Sequence, residues 1–132
     1  MHNVRVAYLV ILWLSLLGVV VQFFLAGLGI FNATDFDAHE VLGLILHIPV
    51  AAILLILALI GVRPRSNLLL AVAYSVLMFL QPFWVGFDDD APEAAALHVL
   101  LPAFILGIGF MLSERLRPVV WGARGPVIAP RR

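Results

Sequence analysis

The chain has 132 residues, 64% of them hydrophobic and only 12% charged, with zero formal net charge and a mean hydropathy of +1.11. Such a composition excludes a water-soluble fold, which could not bury so much apolar surface, and points to an integral membrane protein. There is no cysteine, so disulfides, thiolate metal sites, iron–sulfur clusters and thiol catalysis are excluded too.

Four apolar runs follow one another, from about Val6 to Ile30, Ala38 to Ile60, Leu68 to Val85 and Ala94 to Leu112. Each approaches or exceeds the ~20 helical residues that cross ~30 Å of hydrocarbon. The expected fold is therefore all-α, an integral membrane four-helix bundle forming a single transmembrane domain, with a tail from 113 onward. The first run outlasts the ~7–15 residue core of a secretory signal and is read as a mature helix. It ends in Ala26-Gly27-Leu28-Gly29, where missing side chains let a neighbouring helix or a flat ligand approach. Asp37 and Glu40 have capping-box spacing and would start the second helix, and Pro49 should bend it. Gly61 to Asn67 reads as a tight turn. The third helix closes on Gln81-Pro82-Phe83-Trp84, and Asp88, Asp89 and Asp90 with Pro92 should cap the fourth. Phe23, Phe24, Phe79 and Phe83 are read as packing residues, although aromatics also line porphyrin pockets. No internal repeat stands out.

Charge is segregated by loop. Arg5, Arg63, Arg65, Arg115, Arg117, Arg124, Arg131 and Arg132 share one side, whereas Asp35, Asp37, Glu40, Asp88, Asp89, Asp90 and Glu93 occupy the other. By the positive-inside rule the arginine side is cytoplasmic, so both termini should be cytoplasmic and the chain a multi-pass membrane protein. The arginines suit anionic lipid headgroups, and no nucleic-acid partner is expected.

Polar residues inside hydrocarbon are costly, which makes their placement the main functional clue. Counted by helix rise from the acidic ends, His39 lies roughly 3 Å deep, Gln81 roughly 9 Å, His98 roughly 10 Å, and Gln22 and His47 roughly 15 Å. Every helix thus supplies a polar side chain to one layer near the extracytoplasmic side. His39, Gly43 and His47 recur every four residues along one face of the second helix, with a bare backbone between the imidazoles. The fourth helix runs parallel to the second, so His98 can face that stripe. Two imidazoles on facing helices suit axial ligation of haem iron, and Gly43 and Ala94 would make room for the macrocycle. His47 with His98 is the first choice of ligand pair, and His39 with His98 the alternative. Zinc or copper ranks below haem, because His39 and His47 are about 12 Å apart along the axis and metal–nitrogen bonds are only ~2.1 Å long. Gln22 and Gln81 serve either as cofactor contacts or as interhelical glue.

The pattern Gln22-Phe23-Phe24-Leu25-Ala26-Gly27, then His39-Glu40-Val41-Leu42-Gly43 with His47-Ile48-Pro49, then Gln81-Pro82 and Ala96-Leu97-His98, resembles a family of small four-helix bacterial membrane proteins of unassigned function. The architecture is also similar to one four-helix half of haem A synthase, and that likeness implies haem ligation by His39 or His47 together with His98. It differs from the cytochrome b561 type, which carries histidines toward both faces. The resulting expectation is a b-type haem protein, an electron-transfer module or small cytochrome subunit. The alternatives are a cofactor-free accessory subunit of a larger respiratory or photosynthetic complex, with oligomerisation open, and a quinone- or proton-handling protein using His98 and Gln81. Because no nucleophile or acid–base dyad is evident, an electron-transfer or accessory role is read in preference to an enzyme.

Overall fold

A computed structural model describes residues 1–87 and 91–122; Asp88, Asp89, Asp90, Arg124, Arg131 and Arg132 lie outside the described residues. It is all-α there, with four helices long and apolar enough to cross a membrane: α1 (His2–Ile30), α2 (Asp37–Gly61), α3 (Arg65–Val85) and α4 (Glu93–Trp121). Only 17–33% of each span's most apolar window is buried, so most of the apolar surface faces outward. Outward apolar faces are what hydrocarbon requires of a bundle, and the four helices suit a multi-pass membrane protein. Phe23, Phe24, Phe79 and Phe83 are among the exposed large side chains, so any packing they do is on the outer face of the bundle. In lipid an aromatic ring gains nothing by turning inward.

The interior is one cluster drawn from all four helices, including Tyr8, Leu12, Leu16, Leu54, Tyr74, Met78, Ile105 and Leu112. In cyclic order α1 packs on α2, α2 on α3, α3 on α4 and α4 on α1. Across the centre Ser15 Oγ and Tyr74 Oη share a 2.6 Å hydrogen bond between the diagonal helices α1 and α3.

Local chemistry fixes the helix ends. The N-cap of α2 is Phe36, whose carbonyl accepts from the Glu40 N–H at 2.9 Å; no side chain caps the helix in the expected way, and the Asp35 carboxylate just before it accepts from the Asp37 N–H at 3.3 Å. Asp37 and Glu40 still sit in the first turn, where the helix dipole favours acid. At the other end of α2 the Arg5 guanidinium donates to the Gly61 carbonyl at 2.9 Å, a cation on a helix C-terminus. Pro49 has no N–H to continue the α pattern, and Leu46–Val50 form a π turn around it. Far from ending at Leu112, α4 runs on to Trp121, because Ser113, Leu116 and Val120 remain buried against the bundle. Pro118 is accommodated within its last turn.

Candidate functional site

At the end of the bundle that carries Asp35, Asp37, Glu40 and Glu93, each hairpin is locked by the same device. Gln22 Nε2 donates to the His39 carbonyl at 3.0 Å, and His39 Nδ1–H donates to the Gln22 carbonyl at 3.2 Å. In the second hairpin Gln81 Nε2 donates to the His98 carbonyl at 2.5 Å, and His98 Nδ1–H donates to the Gln81 carbonyl at 3.1 Å. In both clasps the partners are 17 residues apart, one on each helix of a hairpin.

A backbone carbonyl only accepts, so each imidazole must carry a proton on Nδ1, and in the neutral ring the lone pair is then on Nε2. A backbone partner on one ring nitrogen is the usual way a protein orients a metal-ligating histidine. The two rings so oriented meet across the gap between the hairpins, with centres 6.2 Å apart and planes at 75°. Both residues are half-buried. Of the two pairings that the sequence left open, His39 with His98 is the one whose rings come together.

His47 lies two turns deeper on α2, in the π turn, buried beside the Met78 backbone carbonyl, and its Nδ1 has no hydrogen-bond partner. The space beside Gly43 is occupied. A Cβ there would come within 2.8 Å of Gln22 Nε2, so the missing side chain is what lets the Gln22 amide reach the His39 carbonyl. Gly29 likewise lies under the Phe36 ring. Gln22 and Gln81 are buried, and each keeps one amide oxygen, Oε1, without a donor. Ala94 is half-buried near the start of α4. No group of three or more His, Cys, Asp or Glu able to hold a metal ion occurs among the described residues.

The matching clasps expose a signal that the sequence carries at a constant offset of 59 residues. At this offset Leu9, Gln22, Phe24, Gly27, His39 and Leu42 meet Leu68, Gln81, Phe83, Gly86, His98 and Leu101. Ser15 and Tyr74, bonded across the centre, are also 59 apart. Burial repeats too. Tyr8, Leu12, Ser15, Leu16, Val19 and Gln22 face inward from α1, and Asn67, Ala71, Tyr74, Ser75, Met78 and Gln81 do so from α3. The two hairpins therefore share one arrangement, the same clasp and the same inward-facing positions at a common offset, in a sequence that coincides at few other positions. Apolar runs of Leu, Val and Ile hide such a likeness, since nearly any register aligns them equally well.

Fold and site together define a small all-α bundle of two like hairpins, with four helices long and apolar enough to cross a membrane and a pair of clasped imidazoles at one end. Within that class the chain belongs to a family of unknown function (DUF6220), whose model matches residues 22–87, from the first clasp glutamine to just past the second. No curated protein and no solved structure matches it.

Proposed function

We propose that the protein is a b-type haem-binding membrane protein, an electron-transfer module or small cytochrome subunit, with His39 and His98 as the axial ligands. The observation that carries this reading is the pair of imidazoles, each with Nδ1–H given to a backbone carbonyl and their rings 6.2 Å apart. Two imidazoles bound at ~2 Å to one metal from opposite sides have their ring centres about 6 Å apart. Haem brings four equatorial nitrogens of its own, so two protein ligands complete it, whereas a bare zinc ion needs three or four from the protein. The donor set therefore fits haem better than zinc or copper. Bound haem supplies one-electron redox chemistry. The chain's own part is to hold both ring planes through the clasps and, by engaging Nδ1, to leave Nε2 as the ligating nitrogen of the neutral ring. The likeness in architecture to one half of haem A synthase agrees with ligands on the second and fourth helices. With the arginine end cytoplasmic, as the positive-inside rule gives, the site lies toward the extracytoplasmic face of a bacterial inner membrane.

Absorbance of the protein purified from haem-replete cells tests this directly. A Soret band and a reducible α-band are expected, lost in His39→Ala and in His98→Ala and kept in His47→Ala. A colourless wild-type protein would overturn the reading. It would favour a cofactor-free accessory subunit, in which the clasps only fix helix register and the exposed apolar faces pack against a larger membrane complex.

A further inference from the structure

The end of the bundle opposite the clasped histidines gathers positive charge that the fold leaves unbalanced. Gly61 closes α2 there, and its missing side chain lets the start of α1 pack against it: a Cβ would fall 2.8 Å from Val4 Cγ1 and 3.7 Å from Arg5 Cγ. So placed, Arg5 Nε donates to the Gly61 carbonyl at 2.9 Å, and Arg63 Nη1 donates to the next carbonyl, that of Val62, at 2.7 Å. Consecutive carbonyls thus hold two guanidiniums at one corner of the bundle. Each keeps further N–H donors, since one bond uses only Nε and the other a single Nη. Arg65 adds a third cation in the first turn of α3, where the helix dipole disfavours it. The C-terminus of a helix carries the equivalent of only about −0.5 charge, too little to neutralise the pair. Among the described residues the acidic side chain at this end is Glu114, and it is bonded to Arg117 at 3.0 Å.

We infer that Arg5 and Arg63 hold the phosphate of an anionic phospholipid, with its acyl chains laid along the outer face of α2. Guanidinium N–H groups match phosphate oxygens in number and geometry, and backbone carbonyls have already fixed where these two point. A free phosphate would answer the charge alone. A lipid also answers the surface beside it, where Ile53, Ile56 and Ile60 run along one side of α2 toward Gly61, each about half exposed. Basic corners between membrane helices are where lipid head groups lodge. A zwitterionic lipid brings its own cation next to the phosphate and leaves the excess charge in place, whereas an anionic one removes it. Charge segregation along the sequence treats all the arginines alike; the structure singles out the two oriented by carbonyls. The inference is independent of haem.

Native mass spectrometry of the full-length protein in neutral detergent, titrated with dioleoyl phosphatidylglycerol or dioleoyl phosphatidylcholine, tests the site. A single phosphatidylglycerol is expected to bind saturably, about 10-fold more tightly than phosphatidylcholine. Arg5→Gln and Arg63→Gln should each weaken it about 10-fold. Arg115→Gln removes the same charge from an exposed position at the same end and should cost no more than about 2-fold. Equal losses in all three variants would show attraction to bulk surface charge and overturn the site, as would equal affinity for the two lipids or uptake without saturation. Displacement of the lipid by excess inorganic phosphate would show that a free anion is what the pair holds, and would overturn it too. Should Arg5→Gln lose its helical circular dichroism, the contrast between Arg63→Gln and Arg115→Gln decides alone.

Discussion

Gln22 shows how one side chain can organise a helix pair. Its amide crosses from α1 to the first turns of α2, passes over Gly43, and donates to the His39 carbonyl, while its own carbonyl takes the His39 ring proton. In hydrocarbon such reciprocal bonds stand in for water and fix rotation and depth of one helix against the other. The sequence marks Gln22, His39 and Gly43 plainly as polar or bare points in an apolar stretch, but not their partnership, since helix rise places Gln22 much deeper than His39. The turn between α1 and α2 draws the levels together. The glycine is the sensitive position. In Gly43→Ala the new methyl displaces the Gln22 amide from the His39 carbonyl, with an expected loss of about 1–3 kcal/mol, the usual penalty for a buried polar group deprived of its partner. Thermal unfolding in detergent, followed by circular dichroism, should register that loss, whereas Gly27→Ala, where a Cβ meets open space, should be nearly neutral.

Among the elements, α2 departs most from regularity. Composition and length show the four spans, because ~20 apolar residues in a row admit few other readings. Caps and ends are less legible: the Asp37 and Glu40 side chains make no capping bond, and α4 continues past Pro118. Both turn on tertiary neighbours that local spacing does not reveal. Pro49 signals a distortion in α2, but a bend and a π turn look alike in sequence. They differ in consequence, since a π turn holds one residue more than the α-helix it interrupts. Ile48 is the natural surplus residue, being outward-facing and half exposed. Deleting Ile48 should turn the π turn into α-helix and leave Ala51, Leu54 and Ala58 on the inner face, with a loss below about 2 kcal/mol. Deleting Ile56, within regular helix, should swing the following turn by roughly 100° and prevent a monodisperse bundle. Size-exclusion profiles of the two deletions in detergent make the comparison.

For the whole molecule, the likeness of the two hairpins goes with the convergence of the imidazoles. Positions equivalent at the 59-residue offset come together where the hairpins face each other: Ser15 meets Tyr74 in the bundle centre, and His39 meets His98 at the acidic end. A guest between the histidines would draw on both halves. The hairpins also differ: His47 and the π turn belong to α2 alone, and its counterpart at the 59-residue offset is Leu106. Two kinds of behaviour should therefore separate within one chain. At the shared end the halves should respond alike, so that Gln22→Leu and Gln81→Leu each lose about 1–2 kcal/mol by removing one clasp. If a guest is shared, His39→Ala and His98→Ala should each abolish its binding completely, and the double substitution should add nothing, because either ligand's removal already breaks the common site. Away from that shared end the equivalence should fail, with His47→Leu changing stability through the polar ring buried in the π turn and a like substitution of Leu106 having no such effect. Parallel unfolding and absorbance measurements on these variants test the symmetry; unequal responses of the two clasps would show that the second hairpin keeps the form of the first without its role.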